Sequence, residues 1–159
     1  MGAGLSMLLW LSLDALFPLD GWLTEWVSRG GRWWISLLSS ENPGVYCLSE
    51  GGAWQLRGEG AKMAISHSCN GKAILFLFNA FIWAMPGVGM ARRVGFSLLG
   101  TGSLMLANML RVAALYCIYR YLPGWFGFFH HSVFQLTLYG LVLGGWILFL
   151  RKTPSNSST

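Results

Sequence analysis

Charge is what this chain has least of. Of its 159 residues only 11% are Asp, Glu, Lys or Arg, against roughly a quarter in ordinary soluble domains, while 54% are hydrophobic. A water-facing surface cannot easily be built from so few charges, so the composition predicts a protein of the bilayer. Acidic residues are missing from the second half: all six lie between Asp14 and Glu59, and eight basic residues follow. The net charge of +5 calls for no nucleic acid, because the basic residues sit mostly at segment ends. The N-terminus lacks the charged n-region and small-residue cleavage site of a removable signal peptide, and is expected to be a retained first span. No Cys-x-x-Cys pair is present, which disfavours a thiol oxidoreductase built on Cys47 and Cys69. Internal repeats and low-complexity blocks are also missing.

What remains is a set of apolar stretches: roughly residues 3–18, which carries Asp14, then 73–88, 94–119 and 132–150. A helix needs around 20 residues to cross, with 17 tolerated, so the first two are marginal and the last two comfortable. The expected fold class is therefore an all-α membrane protein with about four transmembrane helices. Residues 1–152 are expected to form one integral membrane domain and 153–159 a disordered tail. Between the first two spans, Asp20 to Ser40 mixes Trp22, Trp26, Trp33 and Trp34 with Glu25, Arg29 and Arg32. Tryptophan prefers the headgroup level, so this stretch reads as an interfacial amphipathic helix, with a fifth span as the alternative. Glu41 to Ser68 is polar and Gly-rich, and the alternation in LRGEGAKMAIS predicts one short strand or a β-hairpin.

Orientation follows from Arg92-Arg93 between the second and third spans and Arg151-Lys152 after the fourth, which the positive-inside rule places in the cytoplasm. The 41–68 segment is then outside. Three chemically distinctive groups fall at this outer edge. Cys69 closes the polar run SHSCNGK just as a span begins; a helix N-terminus and the Lys72 charge would both raise its thiolate fraction. Arg111 lies about 25 Å along the third span, where a charge costs at least about 2.5 kcal/mol by insertion scales and marks function by default. Its helical neighbours Gly100, Leu104, Ala107, Asn108 and Ala114 form a small-residue seam. His130 and His131 open the fourth span. His130 shares a side with Val133, Thr137, Gly140 and Gly144 and is expected to point inward, with His131 and His67 as other candidate bases.

Each group also has a bland reading. Cys69 could join Cys47 in a disulfide, Arg111 could pair with Asp14, and the histidines could be interfacial polar residues. The chain would then be a non-enzymatic membrane subunit. Cys117, inside the third span, fits a small buried hydrophobe.

Taken in order, Cys69-Asn70-Gly71, then Asn108-Met109-Leu110-Arg111, then His130-His131 resembles the exosortase/archaeosortase family of membrane transpeptidases. The likeness covers about residues 55 to 150. The resemblance implies a cysteine protease/transpeptidase of the cytoplasmic (inner) membrane with its active site on the extracytoplasmic side. Its partners would be exported proteins that end in a short motif, a hydrophobic helix and a basic tail. Cys69 would attack the scissile carbonyl, Arg111 would hold the oxyanion or orient the substrate, and His130 or His131 would move protons; no metal or other cofactor is required. The chain departs from the family in having far fewer than about eight spans, and in Phe134 or Gln135 where many members carry glycine four residues past the histidine.

Overall fold

The computed structural model describes residues 19–39, 41–48, 54–58, 61–65 and 69–151. The expected first span with Asp14, His67 and the C-terminal tail lie outside the described residues.

Helix α1 (Leu19–Leu38) occupies the Trp-rich stretch. Its apolar positions recur at helical spacing, so Leu23, Val27 and Ile35 are buried while Trp22, Trp26 and Trp33 stay exposed. Thr24 and Ser28 share the buried face and satisfy their hydroxyls on the carbonyls of Asp20 and Thr24, four residues back. The expected amphipathic helix is therefore present. It packs lengthwise on a longer helix, with Gly30 against Met109 and Gly31 against Val112.

Three antiparallel strands follow: β1 (Gly44–Cys47), β2 (Trp54–Gly58) and β3 (Ala61–Ile65), in that spatial order. The β2–β3 hairpin realises the alternation in the sequence, with Gly58 opposite Ala61 and Trp54 opposite Ile65. Ala61, Met63 and Ile65 face the core while Lys62 and Ala64 face out. Strand β1 was not anticipated; it adds to β2 with Cys47 opposite Trp54.

The count of four spans needs correction. Helix α2 (Lys72–Ala84) has 13 residues, about 20 Å at 1.5 Å per residue, and does not reach across a hydrocarbon core of about 30 Å. The cause is Pro86, which forces Met85 into an extended conformation (ψ 120°) and ends the helix one turn early. Among the described residues two helices are long and apolar enough to cross a membrane: α3 (Met90–Tyr121) and α4 (Pro123–Arg151). Helix α4 is not regular. It starts as a 3₁₀ turn at Pro123–Trp125, passes through one α turn and a π-helical segment at Phe129–Val133, and becomes α-helical from Phe134 to Arg151.

Two cores share α3. The C-terminal half of α3 (Val112, Ala113, Leu115, Tyr116) packs with α1 and the sheet residues Leu56, Ala61, Met63 and Ile65. The other core joins Leu23, Leu75, Phe78, Ile82, Leu104, Val142 and Phe149 from all four helices. At the start of α3 the two arginines close helix ends: Arg92 donates to the Phe149 carbonyl, and Arg93 to the carbonyls of Val88 (3.1 Å), Met85 and Trp83 (3.3 Å). Cations at helix C-termini satisfy orphan carbonyls and offset the dipole. At the far end Glu41 accepts from Tyr116 (3.3 Å), Tyr121 (3.1 Å) and Arg120 (3.5 Å).

Phe78 lies between α3 and α4, and it sets the glycine requirement there. A Cβ on Gly100 would overlap the Phe78 ring, whereas one on Gly102 meets nothing within 4 Å. Alanine normally gains about 1 kcal/mol over glycine in a helix. Gly102→Ala should therefore hold or raise the melting temperature in detergent, while Gly100→Ala, which must displace a ring only 2% exposed, should lower it.

Candidate functional site

The Cys69-Asn70-Gly71 turn sits where α1, α2, α3 and α4 meet, and each residue has a distinct job in it. Gly71 adopts the left-handed conformation (φ 81°) that starts α2. A Cβ there would lie 3.1 Å from the Asn108 amide nitrogen, so both conformation and close approach call for glycine. Asn70 is 1% exposed; its Oδ1 accepts from the Lys72 backbone N–H at 2.9 Å and its amide donates to Asp20 Oδ1 at 2.9 Å. Asn108 then donates from Nδ2 to the Cys69 carbonyl at 3.1 Å.

The turn thus ties α1 to α3 through Cys69 and holds the thiol in one place. Cys69 Sγ lies 3.6 Å from His130 Nε2, within hydrogen-bond reach for sulfur. His130 is half-buried in the π-helical segment, a form that concentrates at functional sites. Phe126 stacks on its ring at 5.6 Å between centroids. His131 is exposed and meets His130 edge-on at 4.7 Å. Of the two histidines, His130 is the one brought to the thiol.

Arg111 lies on the same face of α3 as Asn108, one turn further on. Its Nε is buried and has no hydrogen-bond partner among the described residues. The Asn108 Oδ1 is in the same state. Buried polar groups left unsatisfied are rare and cost about 1–3 kcal/mol each, so two within one turn of a helix stand out.

One electrostatic expectation changes. Lys72 does not offer a free charge to the thiol, because its Nζ is paired with Asp20 Oδ2 at 2.6 Å. Its role in the structure is to join α2 to α1. None of Cys47, Cys69 and Cys117 is in a disulfide, so the expected alternative of a Cys47–Cys69 bridge is not formed. Asp20 and Asn70 were missed as supporting residues: Asn70 stands inside the quoted motif, but nothing local in the sequence links Asp20 to Lys72, 52 residues away.

Chemically, the arrangement places a thiol beside an imidazole that can exchange its proton, with a guanidinium donor on the adjoining helix. No group of three or more His, Cys, Asp or Glu suited to a metal occurs among the described residues. Comparison with known proteins finds no matching family model, no matching curated protein and no matching solved structure.

The geometry at Gly71 is directly testable. Gly71→Ala must adopt a left-handed conformation, at about 1–2 kcal/mol, while pressing on Asn108. It should lower the melting temperature and slow alkylation of Cys69 by iodoacetamide, leaving the rate at exposed Cys47 unchanged. Gly89→Ala, where a Cβ meets nothing within 4 Å, is the control.

Proposed function

We infer that this protein is a membrane-embedded cysteine protease/transpeptidase that cleaves C-terminal sorting signals of exported proteins and transfers them to an acceptor. The observation that carries the reading is the 3.6 Å contact between Cys69 Sγ and His130 Nε2, made by two residues 61 positions apart, beside a buried Arg111 Nε with no partner among the described residues. In the proposed reaction the Cys69 proton passes to His130 as Sγ bonds to the scissile carbonyl carbon. The carbonyl electrons move to oxygen, where Arg111 donates. Collapse of the tetrahedral adduct breaks the C–N bond, and the leaving amine takes the proton from His130. An acceptor nucleophile, its proton removed by His130, then attacks the thioester and regenerates the thiol.

The sidedness of this reading puts the sheet, Cys69 and His130 on the extracytoplasmic face of the cytoplasmic membrane, with Arg92, Arg93 and Arg151 inside. The arginine positions support it through the positive-inside rule, as does their clustering at the start of α3 and the end of α4. In a variant lacking Cys47, Cys69 and Cys117, single cysteines at exposed Lys62 and Gly89 report the topology. An impermeant thiol reagent applied to intact cells should label position 62 and spare position 89; the reverse would invert the assignment.

The catalytic roles are tested with a co-expressed exported protein that ends in a hydrophobic helix and a basic tail. Cys69→Ala and His130→Ala should abolish its processing at unchanged enzyme level, whereas His131→Ala, Cys47→Ala and Cys117→Ala should be mild. Loss of an oxyanion donor costs about 100- to 1,000-fold in rate, so Arg111→Ala should leave abundance normal with almost no product. Arg111→Lys should fail as well if a planar fork is required. Recovery of processing on adding Asp14→Ala to Arg111→Ala would show that Arg111 only answers Asp14.

A further inference from the structure

The unsatisfied oxygen of Asn108 has no role in the reaction just described. The side chain is 2% exposed, and its orientation is fixed, because the Cys69 carbonyl can only accept and must therefore face the NH₂ group at 3.1 Å. That leaves Oδ1 turned away as a buried acceptor without a donor among the described residues. A cavity of about 10 Å³ adjoins Asn108, lined also by Asn70, Gly71, Leu104 and Leu138. It is about large enough for one water, but a buried water needs two to four polar partners. The Asn70 side chain is already engaged with Asp20 and Lys72, and the remaining side chains named are apolar or absent.

One turn along the same face, the Arg111 Nε is a buried donor without an acceptor among the described residues. An unpaired acceptor and an unpaired donor at i and i+3 on a helix lie about 5–6 Å apart at their Cβ atoms. In an extended peptide each residue turns its own N–H and C=O to the same side, which is the complement of that pair. We propose that Asn108 Oδ1 accepts the backbone N–H of the residue whose carbonyl Cys69 attacks, while Arg111 receives that carbonyl oxygen. Asn108 is then a substrate-binding residue that selects an amide-linked acyl group over an ester-linked one, and it also anchors the loop that carries the nucleophile. The inference rests on Cys69 being the nucleophile.

A matched pair of small probes separates the two ideas without a known substrate. N-acetylglycyl chloromethyl ketone carries the required N–H next to its ketone, and its depsi analogue has an ester oxygen in place of that N–H. Each alkylates a thiol by forming an S–C bond with loss of chloride. Rates at Cys69 in the full-length protein in phospholipid vesicles are read by mass spectrometry, normalised to glutathione and compared with Cys47. The expected result is an amide preference of about tenfold at Cys69, none at Cys47, and loss of the preference in Asn108→Leu. The wild-type comparison decides the matter even if Asn108→Leu fails to accumulate. Rapid alkylation of Cys69 at equal normalised rates by both probes would overturn the role of Asn108 while leaving the nucleophile intact. Labelling of Cys69 no faster than Cys47 by either probe would overturn the nucleophile, and the Asn108 proposal with it.

Discussion

A single hydrogen bond, from the Asn108 amide to the Cys69 carbonyl, is the constraint around which this molecule is arranged. It fixes a polar turn against the middle of the longest helix. Bringing Asn108 that close demands a residue without Cβ at position 71. Closing the turn demands Asn70, and Asn70 in turn engages Asp20 at the start of α1. Buried polar groups are costly when unpaired, so removing any member leaves the others exposed to that penalty. The thiol is held in place because its own carbonyl is bonded to α3 and the side chain of the next residue, Asn70, is bonded to α1.

The rest of the fold keeps α3 and α4 in the register that this turn requires. Phe78 spaces them against bare glycines, with Gly100 on one wall and Gly145, whose Cβ would lie 2.8 Å from the ring, on the other. Arg92 reaches from the start of α3 to the last turn of α4 and packs its guanidinium on Phe96 and Phe149. Arginines that the positive-inside rule reads as topology signals thus also act as clamps. At the other end the sheet and α1 brace the C-terminal half of α3, and the π-helical segment turns His130 toward the thiol. His131, one residue on, is left exposed.

Much of this was legible in the sequence wherever one residue type had one physical meaning. Apolar runs gave α3 and α4, alternation in residues 56–66 gave the β2–β3 hairpin, and the Trp-rich amphipathic stretch gave α1. The inward lean of His130 followed from its shared side with Val133 and Gly140. What escaped the sequence depended on breaks and on distant pairing. Pro86 cut the second apolar run to 13 residues, although hydropathy continues past it. Strand β1 has four residues and forms only because β2 offers an edge. Lys72 looked like a charge available to Cys69, but its partner Asp20 lies 52 positions earlier, beyond any local pattern. The motif residue Asn108 was visible, but its two-sided bonding was not.

The central claim is that Cys69 becomes acylated. The most direct measurement is mass spectrometry of the full-length chain, recovered from membranes of cells that export proteins with hydrophobic C-terminal helices, and compared before and after neutral hydroxylamine. The account predicts a hydroxylamine-labile acyl adduct on the peptide containing Cys69, absent from peptides containing Cys47 and Cys117. It should be enriched when the acceptor is depleted and absent from Cys69→Ala. Substrate processing with Cys69 unmodified throughout, or an adduct carried on Cys47 or Cys117 instead, would contradict it.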